Sequence, residues 1–472
     1  MRAENVLGWN LLNRERATEI WNGPSSSIRQ NQEGEKTYSI EAFPRLSFQE
    51  AMLLRNAMQE LHSSSSRLKK EQAREFLKQY CIGSLIELDR QQAEYCSLLL
   101  EKMVFGFGPL DFLLQDDDIE EIALIGTGKG KPVHVFHCRQ GWLKTNLFFS
   151  SGSSVKDLVN RMASCIGRRL TANSPVLNAL LPDGSRLNAT IRPVSFTGPS
   201  FTIRKFRKKP FTPVQLIESG TFSAELMAFL WLAMQSSCSI LIAGNTGSGK
   251  TTTLNALFSF VPKDERVVVV EETPEIRLPH SHIVKLNVVK EQGISMQSLI
   301  VDTLRMRPDR IVVGEVRSKA ETKAFVDTLL AGQGKGSYAT FHGQSCEEAL
   351  NRMRAFGIEE QDLAGIDIVL VQRRWDSIEN GKAKERRIAV EACELERKQG
   401  RISINPVFRY NFKKSGIEKV GESARAMEMA EKCFGMQKSG LEREIEKRAA
   451  LLESWIGKGL SIEEFFRAVG GK

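Results

Sequence analysis

The chain has 472 residues, of which 41% are hydrophobic and 26% charged, and its net charge is +9. This composition is typical of a globular protein with about two or three domains, and the mild charge indicates a solvated surface, with contact to anionic lipid or to nucleic acid as the alternative. A membrane-spanning helix is excluded because the longest apolar stretch is far shorter than the roughly 20 residues of a span, and eight dispersed cysteines without a C-x-x-C pair argue against a zinc ribbon or a disulfide framework.

The first 105 residues divide into two segments. Residues 1–45 are rich in Gly, Ser, Asn and Gln with little periodicity, and they begin with scattered charges rather than the apolar core of a signal peptide. We predict a mobile N-terminal tail here, with one short helix near Trp9. Residues 46–105 carry apolar residues at helical spacing, such as Leu54 and Met58, and are predicted to form a helical segment.

From Gly106 the pattern changes to short strands and turns, which predicts a compact α+β domain over 106–206. One helix is expected at 155–166. The dense positive charge that leads up to Pro210 predicts a hinge or linker over 207–222. The strands predicted in this domain are Ile119–Leu124, Val133–His137, Asn146–Phe149, Arg186–Arg192 and Ser200–Phe206.

Residues 223–472 alternate between helical patterns and β-branched runs. This alternation predicts an α/β fold with a mostly parallel sheet and helices on both of its faces. Mixed basic and acidic residues predict a helical C-terminal extension, about 400–472. The strands predicted in this domain are Ile240–Ala243, Val267–Val270, Ile283–Val288, Arg310–Val313 and Ser337–Phe341.

A glycine-rich turn follows the first strand of the predicted parallel sheet. Its residues fill the template G-x-x-x-x-G-K-[ST] without mismatch. Glycines let the backbone approach a phosphate closely, and the N–H groups at the start of the next helix attract the anion. The lysine of this motif reaches the β- and γ-phosphates, and the threonine hydroxyl holds Mg²⁺. We therefore predict that a nucleoside triphosphate is bound by Gly244, Asn245, Thr246, Gly247, Ser248, Gly249, Lys250, Thr251 and Thr252.

Acids follow two later strands of the same predicted sheet. The apolar strand at Arg310–Val313 leads to Glu315, which is the shape of a Walker B motif. The strand at Val267–Val270 leads to Glu271 and, after Thr-Pro, to Glu275. Acids placed just beyond a core strand suit the general-base and metal-binding roles of a phosphoryl-transfer site.

A histidine and several arginines complete the candidate site. His342 follows the strand at Ser337–Phe341, so we expect it at the same edge of the sheet, where it can sense the γ-phosphate. Arg305 and Arg317 lie close by in sequence. Some arginines pair with acids, yet an arginine that reaches phosphates from a neighbouring domain or subunit is a recurrent device.

Four motifs in this order resemble the type II/type IV secretion ATPase superfamily, whose members drive pilus, archaellum and secretion machines. They read GNTGSGKTTTLNAL at 244–257, VEETPEIRLPH at 270–280, LRMRPDRIVVGEVR at 304–317 and SYATFH at 337–342. The spellings LPDGSR at 181–186 and DIVLVQRRW at 367–375 are most similar to the archaeal branch, which is related to the archaellum motor ATPase. The resemblance covers about residues 100–395.

This resemblance implies a role for each candidate residue. Glu275 would position or activate the attacking water with Glu271 in support, and Glu315 would hold Mg²⁺ through water while Thr251 binds it. His342 would lie next to the γ-phosphate and the subunit boundary. Two arginines of the N-terminal domain would swing onto the nucleotide, and two more would lie at the subunit interface. By the family pattern these pairs are Arg186 with Arg204 and Arg305 with Arg317.

The resemblance also implies an architecture and a setting. We expect a RecA-like P-loop NTPase domain, preceded by a small α+β nucleotide-sensing domain and a helical segment, in a homohexameric ring. The cofactors would be ATP and Mg²⁺. The chain would be cytoplasmic, peripheral to the inner face of the cell membrane, with a polytopic platform protein, pilin or secretion components and an anionic membrane surface as partners.

Three functions follow from these patterns. The leading one is ATP hydrolysis that powers assembly of a type IV pilus-like filament or type II/IV secretion. A RecA-like nucleic-acid translocase is the first alternative, although the 316–336 region has charge but only Phe325 as an aromatic, so nucleic acid is not the expected partner. A non-hydrolysing regulatory subunit is the second, and it predicts damaged acids, whereas Glu275 and Glu315 are intact.

Overall fold

The computed structural model describes residues 2–13, 17–23, 25–63, 72–206, 210–289, 292–332, 334–379, 382–398 and 400–469. The chain divides into two compact units, residues 1–207 and 208–472, which are called unit 1 and unit 2. Both combine sheet and helices, so the fold is mixed α/β. None of the helices within these described ranges is long and apolar enough to cross a membrane.

Ten strands in the described part of unit 1 form a single sheet, in the order β2-β3-β4-β7-β6-β5-β10-β9-β8 with β1 paired to β7. Neighbouring strands are antiparallel, except for the parallel pair β4 and β7. The strands are β1 (Trp9–Leu11), β2 (Thr18–Asn22), β3 (Ser26–Gln30), β4 (Lys36–Ile40), β5 (Ile119–Ile125), β6 (Pro132–His137), β7 (Gly141–Phe149), β8 (Val176–Leu180), β9 (Arg186–Thr190) and β10 (Ser200–Arg204).

The helices of unit 1 pack in the same core as this sheet. Leu54, Leu77 and Leu99 from three successive helices join one cluster of buried residues with Leu124 and Phe149 of the sheet. The predicted helical segment and the predicted α+β domain therefore share a core. The helices are α1 (Glu4–Leu7), α2 (Phe48–Ser63), α3 (Ala73–Gly83), α4 (Arg90–Phe105), α5 (Leu110–Gln115) and α6 (Gly152–Ala163).

The N-terminal segment differs from the predicted mobile tail, because it contributes strands β1–β4 to the sheet. The predicted short helix near Trp9 is present as α1, and Trp9 itself lies in β1. Ile28 and Tyr38 are buried. Two asparagine side chains hold the segment by pairing with main-chain groups. Asn10 bonds to both the N–H and the C=O of Leu46, and Asn146 does the same with Ile40. Polar side chains that replace main-chain partners make this segment look like a loop in sequence.

The predicted linker over 207–222 is part helix. Residues 207–209 lie outside the described residues. Helix α7 (Pro213–Glu218) then begins with a capping box, in which Thr212 and Gln215 satisfy each other's backbone N–H groups. Its buried residues Val214 and Leu216 belong to the core of unit 2.

Nine strands in the described part of unit 2 form a sheet in the order β13-β12-β14-β15-β11-β16-β17-β18-β19. The strands from β13 to β16 are parallel to their neighbours, and those from β16 to β19 are antiparallel. They are β11 (Ile240–Gly244), β12 (Val267–Glu271), β13 (Ile283–Asn287), β14 (Arg310–Val316), β15 (Ser337–His342), β16 (Ile368–Glu379), β17 (Lys382–Lys398), β18 (Arg401–Asn411) and β19 (Gly416–Lys419).

The C-terminal extension, predicted to be helical over about 400–472, is largely helical from Arg425 onward. Before that point the chain instead continues the sheet to Lys419. The mixed charges of this stretch belong to long antiparallel strands with apolar residues on alternate positions, a period of two rather than of a helix. The helices of unit 2 besides α7 are α8 (Ala224–Gln235), α9 (Lys250–Leu257), α10 (Met296–Thr303), α11 (Lys319–Leu330), α12 (Cys346–Ala355), α13 (Glu360–Leu363), α14 (Arg425–Phe434), α15 (Lys438–Ser454) and α16 (Ile462–Val469).

The parallel half of the sheet positions the candidate site. Strands β11 and β12 are buried along their whole length, as expected for parallel strands covered by helices on both faces. Strand β15, which ends in His342, lies between β11 and β14. It therefore separates the strand that ends in Gly244 from the strand that carries Glu315. The carboxyl ends of all these strands meet at one edge, where an open α/β sheet binds its ligand.

A buried glutamate attaches the C-terminal helices to this sheet. Glu394 of β17 is fully buried and caps the start of α14. Its carboxylate accepts hydrogen bonds from the hydroxyl of Ser423 and from the backbone N–H groups of Ala424, Arg425 and Ala426, the last three at 2.9–3.1 Å. One carboxylate thus satisfies the N–H groups that the first turn of a helix leaves unpaired.

The Glu394→Ala variant should lose about 2–4 kcal/mol of unfolding free energy, because four donors, two of them in buried hydrogen bonds, lose a charged acceptor. Urea denaturation of the purified protein measures this loss. Glu428→Ala, which changes an exposed glutamate of α14 paired with Lys432, is the control and should leave the midpoint unchanged. Equal midpoints for the two variants would contradict the anchoring role of Glu394.

Candidate nucleotide-binding site

The phosphate loop has the backbone shape that its glycines predict. Gly247 and Gly249 have φ angles of +74° and +97°, a region that side chains other than glycine rarely adopt. A Cβ on Gly244 would lie 2.3 Å from the carbonyl oxygen of Gln372 on β16. Position 244 therefore requires glycine because of the close contact, and position 249 requires it because of the backbone conformation. Helix α9 begins at Lys250, directly after Gly249.

The polar side chains of this loop fit a bound phosphate group. The Nζ of Lys250 is buried against the loop and donates to the carbonyl oxygens of Gly244 and Asn245, at 3.2 Å each. The hydroxyl of Ser248 is buried and has no hydrogen-bond partner among the described residues. Thr251 lies in the first turn of α9, at the positive end of the helix dipole. A phosphate in the loop would supply acceptors for this lysine and serine, and the Thr251 hydroxyl suits Mg²⁺.

Asn245 fastens the loop to the neighbouring strand, a contact that the motif alone does not predict. Its Nδ2 donates to the carbonyl oxygen of Arg374 on β16 at 2.8 Å, and its Oδ1 accepts from the N–H of Arg374 at 2.8 Å. The Asn245 side chain thereby pairs with β16 as a further strand residue would. Thr246, at the tip of the loop, is exposed.

Strand β14 contains a bulge at Glu315, near the sheet edge where β11 leads into the phosphate loop. Val313 pairs with Ala339 and Val316 with Phe341, so Gly314 and Glu315 together face the single residue Thr340. The hydroxyl of Thr340 donates to the carbonyl oxygen of Gly314 at 2.6 Å and fixes the bulge. Bulges commonly redirect a side chain next to an active site.

The Glu315 carboxylate joins a histidine and an arginine. The Nε2 of His342 lies 2.7 Å from its Oε1, and the Nε of Arg317 donates to its Oε2 at 2.7 Å. Arg317 also bonds to Glu272 at 2.8 Å, through Nη1. The two carboxylates raise the pKa of Arg317 although its partial burial opposes this. The acid, the histidine and one arginine predicted from sequence are thus brought together within one chain.

The surroundings of His342 favour the neutral form of its imidazole. Burial and the nearby charge of Lys250 lower the pKa of His342, against the attraction of Glu315. In register, His342 lies directly beside Gly244, the first glycine of the loop. A neutral imidazole can donate one N–H to the carboxylate and keep its other nitrogen as an acceptor.

The loop after β12 carries Glu275 and is held from two sides. The Oε1 of Glu271 accepts the N–H groups of Glu275 and Ile276, each at 2.8 Å. The side chain of Asn255 on α9 donates to the carbonyl oxygen of Glu275 at 3.3 Å and accepts the N–H of Arg277 at 2.9 Å. Asn255, which the sequence prediction did not include, therefore ties this acidic loop to the helix that follows the phosphate loop.

Glu271 is buried and acts on the loop rather than facing solvent. Its Oε2 has no hydrogen-bond partner among the described residues. Burial raises the pKa of this carboxyl to about 7, although two backbone N–H groups oppose the shift. Glu271 thus positions the backbone of Glu275, and its supporting role in catalysis remains a prediction.

The remaining predicted arginines lie elsewhere in their own units. In unit 1, Arg186 of β9 and Arg204 of β10 are directly opposite each other on neighbouring antiparallel strands. Like charges in this position repel, and Arg204 also lies directly opposite Glu121 of β5. In unit 2, Arg305 is largely exposed, lies just beyond the end of α10, and pairs with Asp302 of that helix at 3.6 Å. Contacts of these arginines with nucleotide or with another subunit remain predictions.

The Glu271→Gln variant tests the raised pKa without nucleotide present. Because the folded-state pKa lies above the ordinary value of 4.5, this group favours folding below about pH 4.5 and loses that contribution as the pH rises through about 7. The uncharged amide keeps an acceptor for the loop. The unfolding free energy of the variant relative to wild type should therefore rise by about 2–3 kcal/mol between pH 5 and pH 8. A difference independent of pH would contradict the assignment.

Proteins of similar sequence include two from Methanocaldococcus jannaschii and one from Brucella abortus. An uncharacterized protein of Methanocaldococcus jannaschii is 34% identical over 308 residues, which are 62% of this chain and 42% of that protein. A second uncharacterized protein of the same organism is 31% identical over 385 residues, 79% of this chain and 68% of that one. The Type IV secretion system protein VirB11 of Brucella abortus biovar 1 is 30% identical over 304 residues, 57% of this chain and 81% of that protein. The chain thus spans less than half the length of the first of these relatives.

Solved structures with partial similarity include an ATPase and a pilus retraction motor. The VirB11 ATPase from the Brucella suis type IV secretion system, in complex with sulphate, has 25% identity and a TM-score of 0.31, and the match covers 61% of this chain and 92% of that one. The pilus retraction motor PilT with bound ADP has 18% identity and a TM-score of 0.45, and covers 57% and 78%.

The family model described as Type II/IV secretion system protein matches residues 128–453, which is more than half of the chain and includes the phosphate loop, the acids and His342. The chain belongs to the type II/IV secretion system protein family, within the secretion ATPase superfamily.

Proposed function

We propose that the chain hydrolyses ATP with Mg²⁺ and uses the energy to assemble a type IV pilus-like filament or to drive type II/IV secretion. The observation that carries this proposal is the position of Glu315. Its carboxylate is bound to His342, which is in register with Gly244 of the phosphate loop. A phosphate loop with an acid and a histidine at the γ-phosphate end suits hydrolysis rather than binding alone.

Each residue has a defined part in the proposed reaction. Lys250 and the loop N–H groups would bind the phosphates. Thr251 and Glu315 would hold Mg²⁺, which would supply neutralisation of the phosphate charge. Glu275 takes the proton of the attacking water. His342 couples the position of Glu315 to the presence of the γ-phosphate, because its imidazole lies beside both the phosphate loop and this acid.

The family supports the wider setting of this proposal. We assign the parallel half of the unit 2 sheet to a RecA-like P-loop NTPase domain and unit 1 to the nucleotide-sensing domain, whose paired Arg186 and Arg204 would reach the phosphates. We place the chain in a homohexamer at the cytoplasmic face of the membrane, bound to a polytopic platform protein, with Arg305 and Arg317 at the subunit interface. The relative VirB11 carries the description Type IV secretion system protein.

Two substitutions separate binding from hydrolysis. Lys250→Ala should abolish ATP binding because it removes the loop cation. Glu315→Gln should keep ATP binding and lower turnover at least about a hundredfold, because it removes a charge that acts on the metal and the transferring group. Fluorescent ATP titration measures binding and phosphate release measures turnover.

Glu453→Gln, in an exposed part of α15, is the matched control and should behave as wild type. Normal turnover by Glu315→Gln would show that the Walker B assignment is wrong. Absence of hydrolysis in the wild type with intact ATP binding would instead favour the regulatory subunit, and stimulation by DNA rather than by anionic lipid would favour the translocase.

A further inference from the structure

We infer that Arg374 is a further nucleotide-binding residue, which contacts phosphate oxygens on the side of the phosphate loop away from the acids. This inference rests on the proposed function, since it concerns the same ligand. It adds a cation from β16 to a site in which Lys250 lies at the start of α9 and the acids lie on β14 or on and just after β12.

The Arg374 guanidinium lies directly against the phosphate loop. A Cβ on Gly247 would be 2.6 Å from its Nη1 and 3.6 Å from its Cζ. The backbone of Arg374 is also fixed to the loop by the two hydrogen bonds from the Asn245 side chain. The guanidinium therefore keeps its place relative to the loop and needs no rearrangement of β16 to reach a ligand there.

The neighbouring hairpin holds this arginine through a shared carboxylate. The Oε2 of Glu385 on β17 lies 2.5 Å from Nη2 of Arg374, while its Oε1 lies 2.8 Å from Nη2 of Arg387. Arg374 and Arg387 are directly opposite each other in the antiparallel ladder, so Glu385 also offsets their repulsion. If Arg374 turns to a phosphate, Glu385 keeps Arg387 as its partner, and no carboxylate is left unpaired.

The order of strands decides which part of the nucleotide Arg374 meets. The Glu315–His342 pair lies on the β14 and β15 side of β11, whereas Arg374 lies on the opposite side, on β16. The γ-phosphate must face the acids for hydrolysis, so the α- and β-phosphates and the nucleoside are left for the β16 side. An arginine fork is well suited to phosphate oxygens there. Nucleoside diphosphates should then use Arg374 as fully as triphosphates do.

Titration of the full chain with fluorescent ADP and ATP analogues tests this. Arg374→Ala should weaken both ligands at least about tenfold and to a similar extent, because a charge-assisted contact to their common phosphates is lost. Arg386→Ala is the matched control, an arginine of the same hairpin paired with Trp375 on the other face, and should bind both ligands as wild type does. Glu385→Gln should keep wild-type affinity or bind more tightly, because it frees Arg374.

Wild-type affinity of Arg374→Ala for ADP would overturn the inference. So would a loss restricted to ATP, which would place Arg374 at the γ-phosphate. Equal weakening by Glu385→Gln and Arg374→Ala would show that the ion pair only supports the hairpin. If the wild type itself bound neither nucleotide, the proposed function would fail, and that outcome is distinct from the others.

Discussion

The carboxylate of Glu315 is the interaction on which the candidate site depends. It is bound by His342 from β15 and by Arg317, which also holds Glu272 beyond β12. The ends of strands β12, β14 and β15 are thereby joined at the sheet edge that carries the phosphate loop. The bulge at Gly314 makes this possible, because it directs the acid toward that edge while the strand continues its pairing.

A second set of contacts fixes the loop from the opposite side. Asn245 pairs with the backbone of Arg374, and Gly244 packs against the carbonyl oxygen of Gln372. The loop is therefore held between β15 and β16, while Asn255 and Glu271 hold the acidic loop that carries Glu275. The phosphate loop and the acidic loop are thus preorganised by hydrogen bonds to main-chain and side-chain amide groups. Little reorganisation is then needed when charge develops on the transferring phosphate group.

Local pattern was sufficient to predict the phosphate loop, Glu315, His342 and the parallel strands, because each is encoded by a short stretch with its own period or spacing. The sequence does not indicate that Asn245 and Asn255 hold their loops in place, because the groups that they bond lie on other elements. The N-terminal strands were missed for a related reason: Asn10 and Asn146 replace main-chain partners, and a polar segment then reads as a tail. The strands after residue 400 were hidden by charges on their solvent-facing sides.

The central claim is that this edge of the sheet hydrolyses a triphosphate with a divalent metal. Phosphate release from ATP by the purified chain, measured with Mg²⁺ and again after chelation of the metal, tests it most directly. The account predicts continuous release that requires Mg²⁺ and stops on chelation. ATP bound by Lys250 and its loop, with no release under either condition, would contradict it.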